Sequence, residues 1–412
     1  VGREQIVIAG GGAAGFFAAI ACARANPECE VSIFERSSQF LSKVRISGGG
    51  RCNVTHALFE PRDFTTRYPR GERELISPFH RFSAEDTVTW FESRGVRLKT
   101  EEDGRMFPVT DSSQTIIDCL VAEAKAAGVR LITRTGIESA QARAEGGFDL
   151  KLNDGRSTTC DRLLLATGGC RSIGGSELAR SLGHAVEPAV PSLFSLHVPA
   201  SWLRSLPGIS VSEVELSVGK LRERGSLLVT HNGISGPAVL RLSAWGARVL
   251  HEMNYRFRLR VNWIPEMKED ELRAEFQSRR RTQPNRRVNN SPIGAVPMRL
   301  WEKLVSIADI SGETLWTSLT RVGANELVRQ LRATELEVDG KSLNKDEFVT
   351  CGGVRLREIN FKTMESRLTP GLYFAGELLD LDGITGGFNF QAAWTTGWIA
   401  GHAMAGVEPA SP

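Results

Sequence analysis

Gln5-Ile-Val-Ile-Ala9-Gly10-Gly11-Gly12-Ala13-Ala14-Gly15-Phe16 is the stretch that decides the fold of this chain. Residues 5–9 are short, apolar and β-branched, the composition of a strand buried in a parallel sheet. Gly10 to Gly15 spell G-x-G-x-x-G, and the apolar run from Phe16 to Ala25 reads as a helix. Gly10 permits the tight turn, Gly12 lets backbone approach a pyrophosphate, and Gly15 lets helix and strand pack closely. Free N–H groups at the helix start, around Ala13 and Ala14, and the positive end of the helix dipole then hold phosphates.

Working outward, residues 31–34 supply a second strand, and Glu35 stands at its end. A carboxylate there accepts from adenosine ribose hydroxyls, so the βαβ unit points to a dinucleotide-binding fold. The alternative, a glycine-rich turn with no ligand, explains neither the spacing nor the terminal acid. An acid in place of an arginine favours FAD or NAD over NADP. No second G-x-G-x-x-G follows a later strand. One permanently bound dinucleotide is expected, and FAD suits it because a flavin stays on its protein through a cycle.

Three further constellations carry glycine and polar residues together. Lys43 precedes Ser47-Gly48-Gly49-Gly50-Arg51-Cys52-Asn53, a loop that lets backbone pass against a planar ring or a phosphate. The same residues also suit an ordinary flexible loop. Ala166-Thr167-Gly168-Gly169 ends a strand expected beside the dinucleotide. Gly376-Glu377 follows the strand 372–374, where an acid suits ribityl hydroxyls, and Gly386-Gly387-Phe388-Asn389-Phe390 leads into a helix read over 391–405. A helix start aimed at the flavin N1/C2=O edge would stabilise the charge of reduced flavin.

At 412 residues the chain is long enough for two or three domains. Its 51 basic and 48 acidic side chains leave a net charge of +3, which excludes a tail-driven nucleic-acid binder but not a local basic patch. Seven scattered cysteines without a C-x-x-C pair disfavour a disulfide framework and a zinc ribbon, and suit a reducing cytosol. The histidines show no metal-ligand spacing and no apolar run is long enough to span a bilayer, so neither a metal nor a membrane is expected. A cytoplasmic protein is the expectation.

Composition changes near residues 188–191. The expected organisation is a first part of a nucleotide domain over 1–190, an inserted substrate domain over 191–348, and the rest of the nucleotide domain over 349–412. Within the insert, 191–262 and 335–348 read as β-rich and 263–334 as helical.

The chain resembles the BaiN/RdsA-type family of NAD(P)/FAD-dependent oxidoreductases, which includes ribosomal RNA dihydrouridine synthases. The resemblance rests on residues 43–53 (KVRISGGGRCN), 227–240 (LLVTHNGISGPAVL), 349–354 (VTCGGV) and 363–401 (with GLYFAGELLD and TGGFNFQAAWTTGWIAG). It implies an α/β fold: a Rossmann-like FAD domain of the glutathione-reductase type, discontinuous and interrupted by a β-barrel-like and a helical insert. It also implies tightly bound FAD, contacts to it at Arg36 and Ile137, and NADH or NADPH as transient reductant. One departure is residues 170–176 (CRSIGGS), several residues shorter than the family's usual loop.

The resemblance places Cys52 near the flavin. It reads either as the acid that protonates one carbon while hydride reaches the other, or as a small packing residue. His231, in Thr230-His231-Asn232-Gly233, reads as an acid or as a hydrogen-bonded structural group. Arg256, Arg258 and Arg260 alternate with apolar residues, so a strand would carry all three on one face. With Arg279, Arg280, Arg281, Arg286 and Arg287 they suit ribosomal RNA, or else solvated surface charge. The leading expectation is reduction of an electron-poor C=C, uridine in 23S ribosomal RNA being the first specific candidate. The alternatives are a small-molecule enone reductase or amine oxidase, and an RNA- or ribosome-binding flavoprotein with a structural or sensing flavin.

Overall fold

The computed structural model describes residues 3–169, 173–199, 202–342 and 349–407. The chain divides into two compact units, Val1–Val190 with Val349–Pro412, and Pro191–Phe348.

In the first unit the strand Gln5–Ala9 lies at the middle of a parallel sheet ordered Leu372–Phe374, Arg162–Leu165, Gln5–Ala9, Glu30–Phe34, Arg130–Ile132. The β-branched run 5–9 fits there because both faces are covered. The helix Ala13–Ala25 begins three residues before the apolar run does, and ten of its residues are buried. It packs against the last helix, Phe388–Met404, which also starts three residues ahead of its expected position. Small residues set that contact: a Cβ on Gly397 would fall 2.4 Å from Ala14 O, and one on Gly401 2.4 Å from Ala18 O. Absence of a side chain at these two positions is what lets the backbones approach. A three-stranded antiparallel meander, Ile137–Ala142, Phe148–Leu152 and Ser157–Cys160, leads back into the parallel sheet. The topology is that of a Rossmann-like α/β domain, as the βαβ signature implies.

The second unit is an antiparallel sheet of seven strands plus helices. The order runs Thr334–Val338, Phe257–Asn262, Ser210–Val218, Leu221–Thr230, Gly233–Ser235, Ser195–His197, Gly340–Ser342. Its two edge strands follow one another in the chain across the single residue Asp339. One residue cannot bridge a flat seven-stranded sheet, since strands lie about 4.8 Å apart. The sheet therefore curls round on itself like a barrel. Helices Glu269–Thr282, Met298–Ile307 and Arg321–Ala333 surround a core holding Trp263, Trp301 and Trp316, each at most 1% exposed.

Two expectations about this unit need correction. Residues 237–252, read as part of a strand-rich stretch, form helices Pro237–Trp245 and Ala247–Glu252. Pro at the first helical position and buried Ala238, Val239 and Leu242 supply the start signal and the helical period. The strand carrying the arginines begins only at Phe257, because Asn254 and Tyr255 take positive φ and make a turn. Arg256 is therefore off the strand. Residues 343–348 lie outside the described residues. Among the described residues no helix is long and apolar enough to cross a membrane.

Candidate functional site

The site of the first unit begins at the glycine loop, where the glycines divide by role. Gly10 has φ +113 and donates its N–H to Phe34 O at 2.9 Å. A Cβ there would sit 2.3 Å from Ala166 O, and one at Gly15 would sit 2.0 Å from Gly10 O. Those two glycines serve the fold. A Cβ at Gly12 meets nothing within 4 Å, and Gly12 caps the helix Ala13–Ala25 without any side-chain hydrogen bond and without an acid in the first turn. A buried helix thus presents unsatisfied N–H groups, around Ala13 and Ala14, to open space.

Glu35 faces this loop. Its Oε2 accepts from Gly11 N–H at 2.8 Å and its Oε1 from Ser37 N–H at 2.8 Å. Two bonds leave lone pairs on both oxygens for a ribose hydroxyl. Arg36 lies against Gly136, where a Cβ would be 3.0 Å from its own, and Ile137 opens the next strand. Beyond Ala166, Thr167 Oγ1 is buried with no hydrogen-bond partner among the described residues. Gly168 has φ +80, and a Cβ on Gly169 would lie 3.5 Å from the Glu377 carboxylate. Gly376 abuts Ala14, with 3.0 Å between their Cβ positions. Lys43 and Glu377, expected as separate cofactor contacts, pair with each other. The uncapped helix start, the space over Gly12, the orphaned hydroxyl and the spare acceptors of Glu35 all fit a dinucleotide. Cys170, Arg171 and Ser172 of the shortened loop lie outside the described residues, and the helix Ile173–Ser181 follows them.

A second cluster joins residues 47–56 to the start of the last helix. Residues Ser42–Gly50, part of which was expected as loop, form a helix that breaks at Ser47, Gly48 and Gly49. Gly48, Gly49 and Gly50 have φ of +57, +69 and +84. A Cβ on Gly48 would meet the Phe107 ring at 2.8 Å. Asn53 then reaches across: its amide nitrogen donates to Thr55 O at 3.0 Å and its oxygen accepts from Gly387 N–H at 2.9 Å. Tyr68 Oη donates to Phe388 O at 2.5 Å, Trp394 Nε1 to Val54 O at 2.9 Å, and Thr55 Oγ1 to Gln391 Oε1 at 2.6 Å. Asn389 turns back to bond both backbone groups of Gly383, and Phe390 stacks on Trp394 at 5.5 Å. These contacts fix the turn that starts the helix.

His56 belongs to this cluster and the sequence reading passed over it. Its Nδ1 lies 3.1 Å from Gly386 O and its ring stacks on Phe388 at 4.8 Å. The only local signal was its position three residues after Asn53; the partner segment lies 330 residues away.

Of the two readings of Cys52, its burial favours packing. Cys52 is 0% exposed. Burial also pushes the thiol up to about 12, with Ser47 opposing by a hydrogen bond. Its backbone is held at φ +63. His231 is exposed in the connection between strands Leu221–Thr230 and Gly233–Ser235.

Arg258 and Arg260 share one exposed face of the strand Phe257–Asn262, without Arg256, and acidic partners accompany them. Arg258 pairs with Glu337 at 2.6 Å and Arg260 with Glu335 at 3.8 Å, both on the neighbouring strand. Arg279 pairs with Glu275 at 2.7 Å, Arg280 bonds Trp316 O at 3.3 Å, Arg286 bonds Asn290 O at 3.2 Å, and Arg287 pairs with Glu313 at 2.6 Å. Arg256 and Arg281 are exposed.

Comparison with known proteins places this geometry. The chain belongs to the family described as HI0933-like protein Rossmann domain, whose model matches residues 4–403. It is 31% identical to a 3-dehydro-bile acid delta(4,6)-reductase of Clostridium scindens, over 98% of this chain and 99% of that protein. It is 32% identical to a ribosomal RNA dihydrouridine synthase of Escherichia coli, over 96% of each. These are the relatives that the BaiN/RdsA-type motifs point to, and the chain is an oxidoreductase of that flavoprotein family. Its fold is shared with a 3-ketosteroid-delta4-(5alpha)-dehydrogenase of Rhodococcus jostii, at TM-score 0.51 and 16% identity, covering 98% of this chain and 97% of the other. A flavocytochrome c3 fumarate reductase gives the same TM-score and identity, covering 98% and 78%.

Proposed function

We propose that this chain is an FAD-dependent reductase that takes electrons from NADH or NADPH and saturates an electron-poor C=C, with uridine of 23S ribosomal RNA as its first specific substrate. The observation that carries the cofactor is Gly12, open above an uncapped, buried helix and facing a carboxylate with spare acceptors. In this reading the amides at Gly12 to Ala14 hold the pyrophosphate, Glu35 takes a ribose hydroxyl, and Glu377 exchanges Lys43 for the ribityl chain. The glycine turn at 386–387 sets the start of helix Phe388–Met404, whose amides stabilise negative charge on the flavin ring. FAD, when bound, supplies hydride transfer. Cys52 and His231 are the residues to test for proton delivery.

The substrate reading rests on two relatives, one named a delta(4,6)-reductase and the other a ribosomal RNA dihydrouridine synthase. A second reading, a small-molecule enone, is favoured by the glutamates that pair with Arg258 and Arg260. The test is direct. Heat extraction should release FAD, and oxidation of reduced nicotinamide is then followed with a ribosomal RNA fragment and, separately, with a ring enone. RNA-dependent turnover with dihydrouridine formed supports the first reading, and enone turnover alone selects the second. Extraction of FMN, or a protein that cannot be reconstituted with flavin, overturns both.

A further inference from the structure

The turn that starts the last helix is made of residues that do not hold a conformation by themselves. Gly386 and Gly387 have φ of +125 and +94, a region open to glycine at almost no cost and therefore easily left. What fixes them is contact with residues 53–56. Gly387 donates its N–H to Asn53, and the preceding carbonyl, Gly386 O, faces His56 Nδ1. A carbonyl only accepts, so the imidazole carries its proton on Nδ1. The single peptide group that joins Gly386 to Gly387 is thereby clamped in orientation at both ends, its C=O by His56 and its N–H by Asn53.

The imidazole is itself held on three sides. One face stacks on Phe388, the first residue of the helix. Its Nε2 edge lies against Gly104, where a Cβ would come within 2.5 Å of Nε2 and 2.8 Å of Cε1. Its backbone pairs with Arg105 on the neighbouring strand. Gly104 (φ +85) is thus the residue that leaves room for this ring. Burial holds the imidazole below its usual range, against the pull of the Gly386 carbonyl and of Asp103; Arg67 and Arg105 lower it further.

We propose that His56 is a positioning residue for the cofactor: by clamping Gly386 and Phe388 it registers the helix start against the flavin ring and so sets the flavin's reduction potential. This rests on the FAD reading above. The amides of the first helical turn stabilise negative charge only while they point at it, and their effect fades within one turn. Loss of the His56 bond leaves this peptide held only at its N–H by Asn53, so it can tilt, and reduced flavin becomes less stable.

The test uses the full chain with its flavin bound, and reads the midpoint potential and the visible spectrum of the flavin. His56→Phe keeps a flat ring on Phe388 but has no donor for Gly386. It should leave roughly tenfold less flavin reduced at a fixed poise, a fall of about 30 mV for a two-electron couple. His56→Gln, whose amide can donate to Gly386 O, should recover most of that shift. Gly104→Ala, which crowds the ring without altering it, should lower the potential as His56→Phe does, and serves as the test where His56→Phe does not fold. His56→Phe and Gly104→Ala proteins with unchanged potential and spectrum overturn the proposal and leave the FAD reading standing. A wild-type protein that takes up no FAD overturns that reading, and this one with it.

Discussion

Two ion pairs set the nucleotide unit and the inserted unit apart. Arg70 and Asp382 are 312 residues apart in sequence, and their side chains are 12% and 0% exposed. Arg258 and Glu337 face each other on adjacent strands, with side chains 71% and 70% exposed. The chemistry is the same and the energetic standing is opposite. Asp382 has given up its hydration, so it depends on the guanidinium that replaces water. Glu337 has given up almost nothing, and salt screens what it gains. The Arg70–Asp382 pair is therefore part of the fold, while the Arg258–Glu337 pair is surface charge that cancels locally.

Removing one partner from each pair gives the largest contrast. Arg70→Met should cost about 3–5 kcal/mol, because it leaves a buried carboxylate uncompensated. That is a large share of the total stability of a typical domain. Arg258→Gln should cost about 0–1 kcal/mol. Denaturant midpoints of the two variants measure the difference, and equal midpoints would remove burial as its cause.

The glycine loop sharpens the same contrast at a smaller scale, between residues that serve the fold and residues that serve a ligand. Gly15→Ala drives a Cβ into Gly10 O and should lower the thermal midpoint of the flavin-free protein. Gly12→Ala meets nothing, so the same midpoint should not move. Its effect should appear only on adding FAD, where a methyl group in the phosphate space costs about 1–3 kcal/mol, roughly 5- to 150-fold in affinity. Titration of both flavin-free proteins decides it. Unchanged affinity in Gly12→Ala would place the pyrophosphate elsewhere.

What the sequence made legible follows from range. The strand, the glycines and Glu35 lie within about thirty residues, and each has a backbone reason to be where it is. The distribution of labour among the glycines was legible for the same reason. The burial of Cys52 was not, because it is decided by packing that no spacing records. His56 was missed since its meaning lies in Gly386 and Phe388, and in the missing side chain at Gly104. The helices over 237–252 were obscured by an apolar run that suits either period, although Pro237 marked the start. Alternation from Tyr255 onward looked like one strand, but positive φ at Asn254 and Tyr255 is a property of the fold.

The smallest expected effect tests the arginines themselves. On the strand Phe257–Asn262, Arg258 and Arg260 stand opposite Glu337 and Glu335, so that face carries two positive and two negative charges. Counterion release requires net positive charge that a phosphate can neutralise, and each real contact contributes about 0.7–0.9 to the slope of log affinity against log salt. A balanced face offers none until its glutamates are displaced, and Arg256, off the strand, adds one exposed charge. The double substitution Arg258→Gln with Arg260→Gln should therefore leave binding to a ribosomal RNA fragment within about twofold, and its salt slope unchanged. The complementary pair, Glu335→Gln with Glu337→Gln, strips the partners and exposes both guanidiniums. It should strengthen RNA binding at low salt and steepen the slope by up to about two contacts' worth. If the arginine pair instead flattens the slope by that amount, RNA already displaces the glutamates in the native protein. The strand face is then a phosphate-contacting surface, and the enone reading loses the observation that favours it.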